Sequence, residues 1–318
     1  MRSARTPFPH SLAFPRSLAR CGLLLAVALL AASCGDGAGA SATDPPLRVV
    51  TTTTVLTDFA KVIGGDRVGV YGVLKPNVDP HDYEPSPKDI DSMRSANIIV
   101  KNGVHLETWF DDTAKASGTK ATIVDASTGI AIRAADNAKQ GEGDPHIWHD
   151  PRNAKQMVMT MLAAFVAADP SDASIFESNA ARYSTELDAL DREIAAKIAT
   201  LANKKLVTNH DAFGYYADHY GLEFVGSIIP SFETSAEVSA SELNDLVDRI
   251  KAQGVKAVFA ESALPAKVAK TIANEAGVKA VDGEGALYGD GLGTAKSAGG
   301  TYLTMMRHNT ATIVDNLE

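Results

Sequence analysis

From residue 47 onward, short β-branched runs alternate with amphipathic stretches of helical spacing. Arg48–Thr54 reads as a strand, and Val55–Ile63 as a helix stopped at Gly64-Gly65. Val68–Leu74, Ile98–Val100 and Ala121–Val124 read as further strands, with helices at Lys88–Ser95 and Leu106–Lys115. Helices are then predicted over Asn153–Ala168 and Ser171–Leu201. The second carries Ile175, Tyr183, Leu187, Leu190, Ile194 and Ile198 on one face and has no internal Gly or Pro. If continuous, its ~30 residues would extend ~45 Å, far enough to cross from one lobe to the next. Alternation resumes with strands at Lys205–Thr208, Phe224–Ile229, Ala257–Ala260 and Lys279–Val281. The helices here are Ala212–Tyr220, Ser239–Gln253, Ala266–Ala276 and Thr301–Leu317. Strands alternating with helices predict parallel sheets in an α/β protein. The expected organisation is an N-terminal α/β lobe (47–168), a connecting helix (169–202) and a C-terminal α/β lobe (203–318).

The segment before this pattern is different. Arg2, Arg5, Arg16 and Arg20 precede an apolar run from Cys21 to Leu30, then Ala31-Ala32-Ser33 and Cys34. Basic region, apolar region and small-residue cleavage site occur in the order of a signal peptide (1–33). The apolar run is too short for a membrane-spanning helix, which needs ~20 residues. Cleavage before Cys34 with lipidation of its thiol resembles the bacterial lipobox, although Ala31 stands where Leu is usual. Cleavage by ordinary signal peptidase near Ala32-Ser33 is the other reading. Residues 34–46, rich in Gly, Ala, Ser and Pro, read as a flexible tether. The chain is therefore expected outside the cytoplasm, anchored on the outer face of the cytoplasmic membrane or periplasmic.

Charge and cysteine content narrow the chemistry. The 318-residue chain carries a formal net charge of −9, which becomes −13 once the four leader arginines are gone. Such a chain repels phosphate backbones, so nucleic acid is excluded as an expected partner. The two cysteines, Cys21 and Cys34, both lie in or at the edge of the leader. No Cys-type zinc site or internal disulfide is available to the mature chain, and any metal site must use His, Asp or Glu.

Three of the eight histidines stand out by context. His81 lies in Lys75-Pro-Asn-Val-Asp-Pro-His-Asp-Tyr-Glu-Pro, directly after a strand. His146 lies in Asp144-Pro-His-Ile-Trp-His-Asp-Pro before a helix, and His210 ends a strand. In open α/β sheets, ligands bind at the carboxyl ends of strands. A fourth such loop holds Asp282, Glu284 and Asp290 among glycines. Imidazoles with a carboxylate suit first-row divalent metals. Four protein ligands, two from each lobe, suit capture and release more than catalysis, because a catalytic zinc keeps one position open for water. Neutral imidazole is required, so protons are expected to compete below about pH 6.

Several stretches together resemble the zinc/manganese solute-binding proteins of ABC transporters, the TroA/ZnuA-like family. They are Arg48-Val-Val-Thr-Thr-Thr-Thr with Ile63-Gly-Gly-Asp, Asp79-Pro-His-Asp-Tyr-Glu-Pro-Ser-Pro, Asn102-Gly-Val-His-Leu-Glu-Thr-Trp, Asp144-Pro-His-Ile-Trp, His210-Asp-Ala-Phe-Gly-Tyr, Phe259-Ala-Glu-Ser and Tyr288-Gly-Asp-Gly-Leu-Gly. The resemblance runs from Leu47 to the C-terminus. It implies two lobes joined by a rigid backbone helix, with the metal in the interlobe cleft. It implies the ligands His81, His146, His210 and Asp290, and a permease as the partner of a monomeric receptor. His210 in the third ligand position leans toward Zn2+, with Mn2+ as the alternative. The Ala134–Asp144 segment has no histidine, so the His-rich loop of many zinc-specific members is missing.

Around the ligands, Glu84 and Glu261 are the best candidates to orient an imidazole, since ligating histidines usually donate their second N–H to a carboxylate. His149 is expected to support the site or to lie at the surface. His105, His219 and His308 are expected to be structural or solvated. Two readings compete with the receptor: a secreted metallohydrolase, for which no His-Glu-x-x-His or Gly-x-Ser-x-Gly is present, and a metal-binding adhesin.

Overall fold

The computed structural model describes residues 46–134 and 143–318. The leader, Cys34 and nearly all of the tether lie outside the described residues, as does most of the Ala134–Asp144 segment.

The first part of the chain builds a four-stranded parallel sheet from β1 (Leu47–Thr51), β2 (Val68–Gly72), β3 (Ile98–Lys101) and β4 (Thr122–Asp125), in the order β2-β1-β3-β4. Register places Val49 beside Val70 and Ile98. Val49, Val50, Ile98 and Ile99 are all buried. Successive residues point to opposite faces, so burial of adjacent pairs means both faces are covered, which is why the central strands read as unbroken apolar runs.

The crossovers are α1 (Thr54–Gly64), α2 (Pro87–Ser95) and α3 (Phe110–Ser117). Thr53 caps α1 by accepting from Leu56 N–H, and Gly65, at φ 52°, ends it. Positive φ costs glycine little, so the Gly64-Gly65 stop acts as the sequence predicts. Ser86 and Asp89 form a reciprocal cap on α2, with Pro87 in the first turn.

One helix starts later than expected. Leu106 does not open α3, because the preceding backbone is wound into left-handed conformations at Gly103, Val104 and His105 (φ 88°, 53° and 59°). The buried Glu107 carboxylate holds that turn, accepting from Asn102 N–H at 2.7 Å, Gly103 N–H at 3.3 Å and the Thr52 hydroxyl.

α4 (Pro151–Ala168), capped by Asp150, leads into α5 (Ala173–Ala199). At 27 residues, α5 is about 40 Å long. It buries Phe176, Ala180, Tyr183, Leu187, Leu190, Ile194 and Ile198, a stripe at three- and four-residue spacing. The remaining elements are β5 (Lys205–His210), α6 (Gly214–Tyr220), β6 (Glu223–Ile229), α7 (Ala240–Gln253), β7 (Ala257–Phe259), α8 (Lys267–Ala276), β8 (Lys279–Val281) and α9 (Tyr302–Leu317).

β5 pairs with β6 and β7 with β8, both in parallel, and β5 lies beside β7. The two pairs are separate two-stranded sheets, set side by side along β5 and β7. α5 packs on α4 and α1 from the first half and on α9 and α6 from the second. The main apolar core is continuous along it, from Phe59 and Phe165 to Tyr302 and Met305. Among the described residues no helix is long and apolar enough to cross a membrane.

Candidate metal centre

The four side chains singled out by sequence meet at one point. His81 sits in the loop after β2 and His146 in the segment between β4 and α4. His210 is the last residue of β5, and Asp290 lies between β8 and α9. All follow the carboxyl ends of parallel strands, where the backbone leaves the sheet and loops can converge. One candidate ligand atom from each lies within 4.8 Å of the others.

Asp290 Oδ1 is 3.2 Å from His210 Nε2, 3.3 Å from His146 Nε2 and 3.9 Å from His81 Nε2. The His146 and His210 Nε2 atoms are 3.2 Å apart. A tetrahedral zinc with bonds of ~2.0–2.1 Å separates its ligand atoms by about 3.3 Å, so three of these four distances already match. The side chains of all four residues are essentially inaccessible. Neither carboxylate oxygen of Asp290 and neither nitrogen of His81 has a hydrogen-bond partner among the described residues. Buried polar atoms left unpaired cost about 1–3 kcal/mol each, and a cation at the shared point would satisfy His81 Nε2 and an Asp290 carboxylate oxygen together.

Each imidazole has its own carboxylate. Asp144 meets His146 Nδ1 at 2.8 Å and accepts from its backbone N–H at 3.0 Å. Glu261 does the same for His210, at 2.9 Å to each nitrogen. Glu233 Oε2 lies 3.2 Å from His81 Nδ1. With Nδ1 turned to a carboxylate, Nε2 is the atom presented to the centre.

Charge follows from this arrangement. Burial pushes the His146 imidazole down, but its bond to Asp144, reinforced by Asp290, carries it up to about 9. His210 is raised well above the usual imidazole range against the same burial, by Asp290 and Glu261. Burial pushes Asp290 up, but His210, His146 and His81 hold it well below the ordinary carboxylate range.

A further ring of residues fixes the Asp290 loop. His149 Nε2 donates to the Gly289 carbonyl at 2.9 Å, and Trp148 Nε1 donates to the same oxygen at 3.1 Å. Burial, then the nearby His146, push the His149 imidazole down to about 3, so it stays neutral. A Cβ on Gly289 would stand 1.9 Å from Glu261 Oε2, so only glycine leaves room for the carboxylate serving His210. Arg133 Nη1 lies 3.6 Å from Asp144, and its Nε donates to Asp218 at 2.9 Å.

Of the expected neighbours, Glu261 and His149 are buried at the site, whereas Glu84 is exposed. Asp282 pairs with Lys270 at 2.5 Å and Glu284 is exposed, so of the three acids in this loop Asp290 alone joins the cluster. His105 is exposed, His219 pairs with Asp191 at 2.6 Å, and His308 Nε2 donates to the Ala286 carbonyl at 3.0 Å. Sequence reasoning missed Asp144, Glu233 and Arg133 as partners. Asp144 was already inside a quoted motif. Glu233 follows the carboxyl end of β6, so the strand-end rule that selected the histidines also reaches it.

Comparison with known proteins places the chain in a family. The family model for the periplasmic zinc-uptake complex component A matches residues 49–316. The manganese-binding lipoprotein MntA of Bacillus subtilis is 34% identical over 311 residues, covering 94% of this chain and all of the relative. The high-affinity zinc uptake protein ZnuA of the same organism is 32% identical, covering 93% and 96%. The solved periplasmic zinc-binding protein TroA of Treponema pallidum superposes with a TM-score of 0.79 at 29% identity, covering 86% of this chain and 99% of that one. A manganese-bound periplasmic metal-binding protein of Candidatus Liberibacter asiaticus gives 0.76 at 25% identity, covering 85% and 99%. Matched over nearly all of its folded length, the chain belongs to the zinc-uptake component A (ZnuA) family of periplasmic metal-binding proteins.

Proposed function

We propose that this protein is the extracytoplasmic receptor of an ABC importer, taking up a divalent transition metal and handing it to the membrane permease. His81, His146, His210 and Asp290 are the ligands in this reading. The observation that carries it is the convergence of four buried ligand atoms within 4.8 Å of one another, with His81 Nε2 and both Asp290 carboxylate oxygens lacking a hydrogen-bond partner among the described residues.

Zinc is the favoured cargo. Three imidazoles and one carboxylate suit zinc, whereas manganese prefers an octahedral, oxygen-rich shell. Manganese is the alternative, and relatives named for zinc, manganese and iron fall in the same similarity range. Four protein ligands leave a tetrahedral zinc no position for a reactive water, in keeping with a family of transport receptors rather than enzymes.

Residues 47–168 and 203–318 act as two lobes and 169–202 as the helix joining them. Support comes from the separate parallel sheets on either side of α5 and from α5 itself, which packs on both halves. Two ligands come from each half, so capture draws the halves together. Cys34 carries the lipid anchor in this reading, which accords with relatives named as lipoproteins, and the receptor works as a monomer.

The test is metal analysis of protein purified without added metal, followed by zinc and manganese titration of wild type and His81→Ala. Stoichiometric tight binding by wild type, lost in the variant, is expected. Equal affinity in both would overturn the ligand assignment.

A further inference from the structure

The three imidazole–carboxylate pairs are not alike. Asp144 and His146 come from the same short segment, and Glu261 and His210 both come from the second half. Glu233 belongs to the second half and His81 to the first, 152 positions earlier in the chain. The neighbouring residue makes a second crossing: Thr234 Oγ1 donates to Asp79 Oδ2 at 2.6 Å, while Asp79 Oδ1 accepts from His81 N–H at 2.9 Å. Two consecutive residues after β6 thus reach the His81 loop, Glu233 at ion-pair distance from its ring and Thr234 at the Asp79 side chain that holds its backbone. Ser231 Oγ accepts from Glu233 N–H at 3.0 Å and steadies this segment. The side chain of His81 is fully enclosed, whereas that of Glu233 is 40% exposed. The contact therefore lies at the rim, where separation of the halves would break it early.

We infer that Glu233 is a positioning residue that orients His81 across the cleft, so that this ligand is fully aimed at the ion only while the halves are together. The inference rests on the metal-receptor reading. His146 and His210 keep their orienting carboxylates when the halves part; His81 loses its own. Opening then frees His81 to rotate, so the first half is left with one well-aimed ligand, His146, instead of two. Separation alone would in this way weaken the hold on the ion and favour release.

The test uses the full-length chain and zinc as the probe, with dissociation followed by chelator chase. Glu233→Ala is expected to speed dissociation roughly 10–100-fold, the usual cost of losing a partner behind a metal ligand, with a smaller change in association. Glu233→Gln, which keeps an acceptor for Nδ1, should recover most of the loss. Thr234→Val, which removes only the Asp79 contact, should speed dissociation in the same direction. In a His81→Ala background, where tight binding is already lost, the residual zinc affinity read by equilibrium titration should be the same with and without Glu233→Ala, because Glu233 acts through His81. A further loss of affinity in the double variant would mark a purely structural role and overturns the inference. So does wild-type dissociation in Glu233→Ala, or, if that variant fails to fold, in Thr234→Val. A wild type that binds neither zinc nor manganese would instead refute the receptor reading itself.

Discussion

Metal capture at neutral pH should expel about two protons. Before an ion arrives, His146 titrates at about 9 and His210 well above the ordinary range, both held up by carboxylates against the effect of burial. Asp290, pulled down by the imidazoles, is already ionised. At pH 7 both rings are therefore charged, and each must lose a proton before its Nε2 can ligate.

The sign is definite. A histidine with a raised folded-state value contributes stability that is fully present below its unfolded value of about 6.5 and lost as pH rises through its folded value. For His146 the distance from 6.5 to about 9 corresponds to roughly 3 kcal/mol, withdrawn from the metal-free protein across that window. Affinity moves the opposite way. Each displaced proton adds about tenfold per pH unit, so two give up to roughly hundredfold per unit until the rings are neutral. Competition thus begins well above the pH of about 6 expected from an unperturbed imidazole, because the carboxylates that aim the rings also hold their protons.

Calorimetric titration of zinc at pH 7 in PIPES and in Tris reads the proton count from the dependence of enthalpy on buffer. A slope near two is expected. A slope of zero, or an affinity that stays flat from pH 6.5 to 8.5, would refute the reasoning.

Two substitutions at glycine probe the packing behind the ligands. Gly289→Ala would drive a methyl to 1.9 Å from Glu261 Oε2, expelling the carboxylate from His210. Zinc affinity should fall roughly 10–100-fold in a protein that still melts cooperatively, and unchanged affinity in a competition titration would exclude this role for Glu261. Gly214→Ala opens α6 with a better helix former, worth up to about 1 kcal/mol. Its Cβ, however, would lie 2.7 Å from both Arg133 Nη1 and Asp144 Oδ2, and overpacking of that kind costs about 1–3 kcal/mol. Thermal melts of the metal-free variant should show net destabilisation; a more stable variant would show that the Arg133–Asp144 contact yields freely.

The element order was open to sequence reading because its signals are local. Strand and helix periods, the Gly64-Gly65 stop and the Ser86 cap each act within a few residues. The strand-end placement of His81, His146 and His210 follows from the same signals, since those loops are bounded by recognisable strands. The beginning of α3 was misjudged because Glu107 organises the turn with Thr52, 55 residues away.

Motif resemblance already favours Asp290 over Asp282 and Glu284, and the tertiary structure supplies the physical reason: Trp148 and His149 hold the carbonyl beside it. Two features of the candidate site were decided by tertiary structure alone. Glu233, rather than Glu84, faces His81 because the loop after β6 crosses to the other half. The proton load on the imidazoles depends on burial and on carboxylates brought from distant segments. Periodicity and motif spacing register only neighbours along the chain, while the field at a buried ring is set by whatever folding brings within a few ångströms.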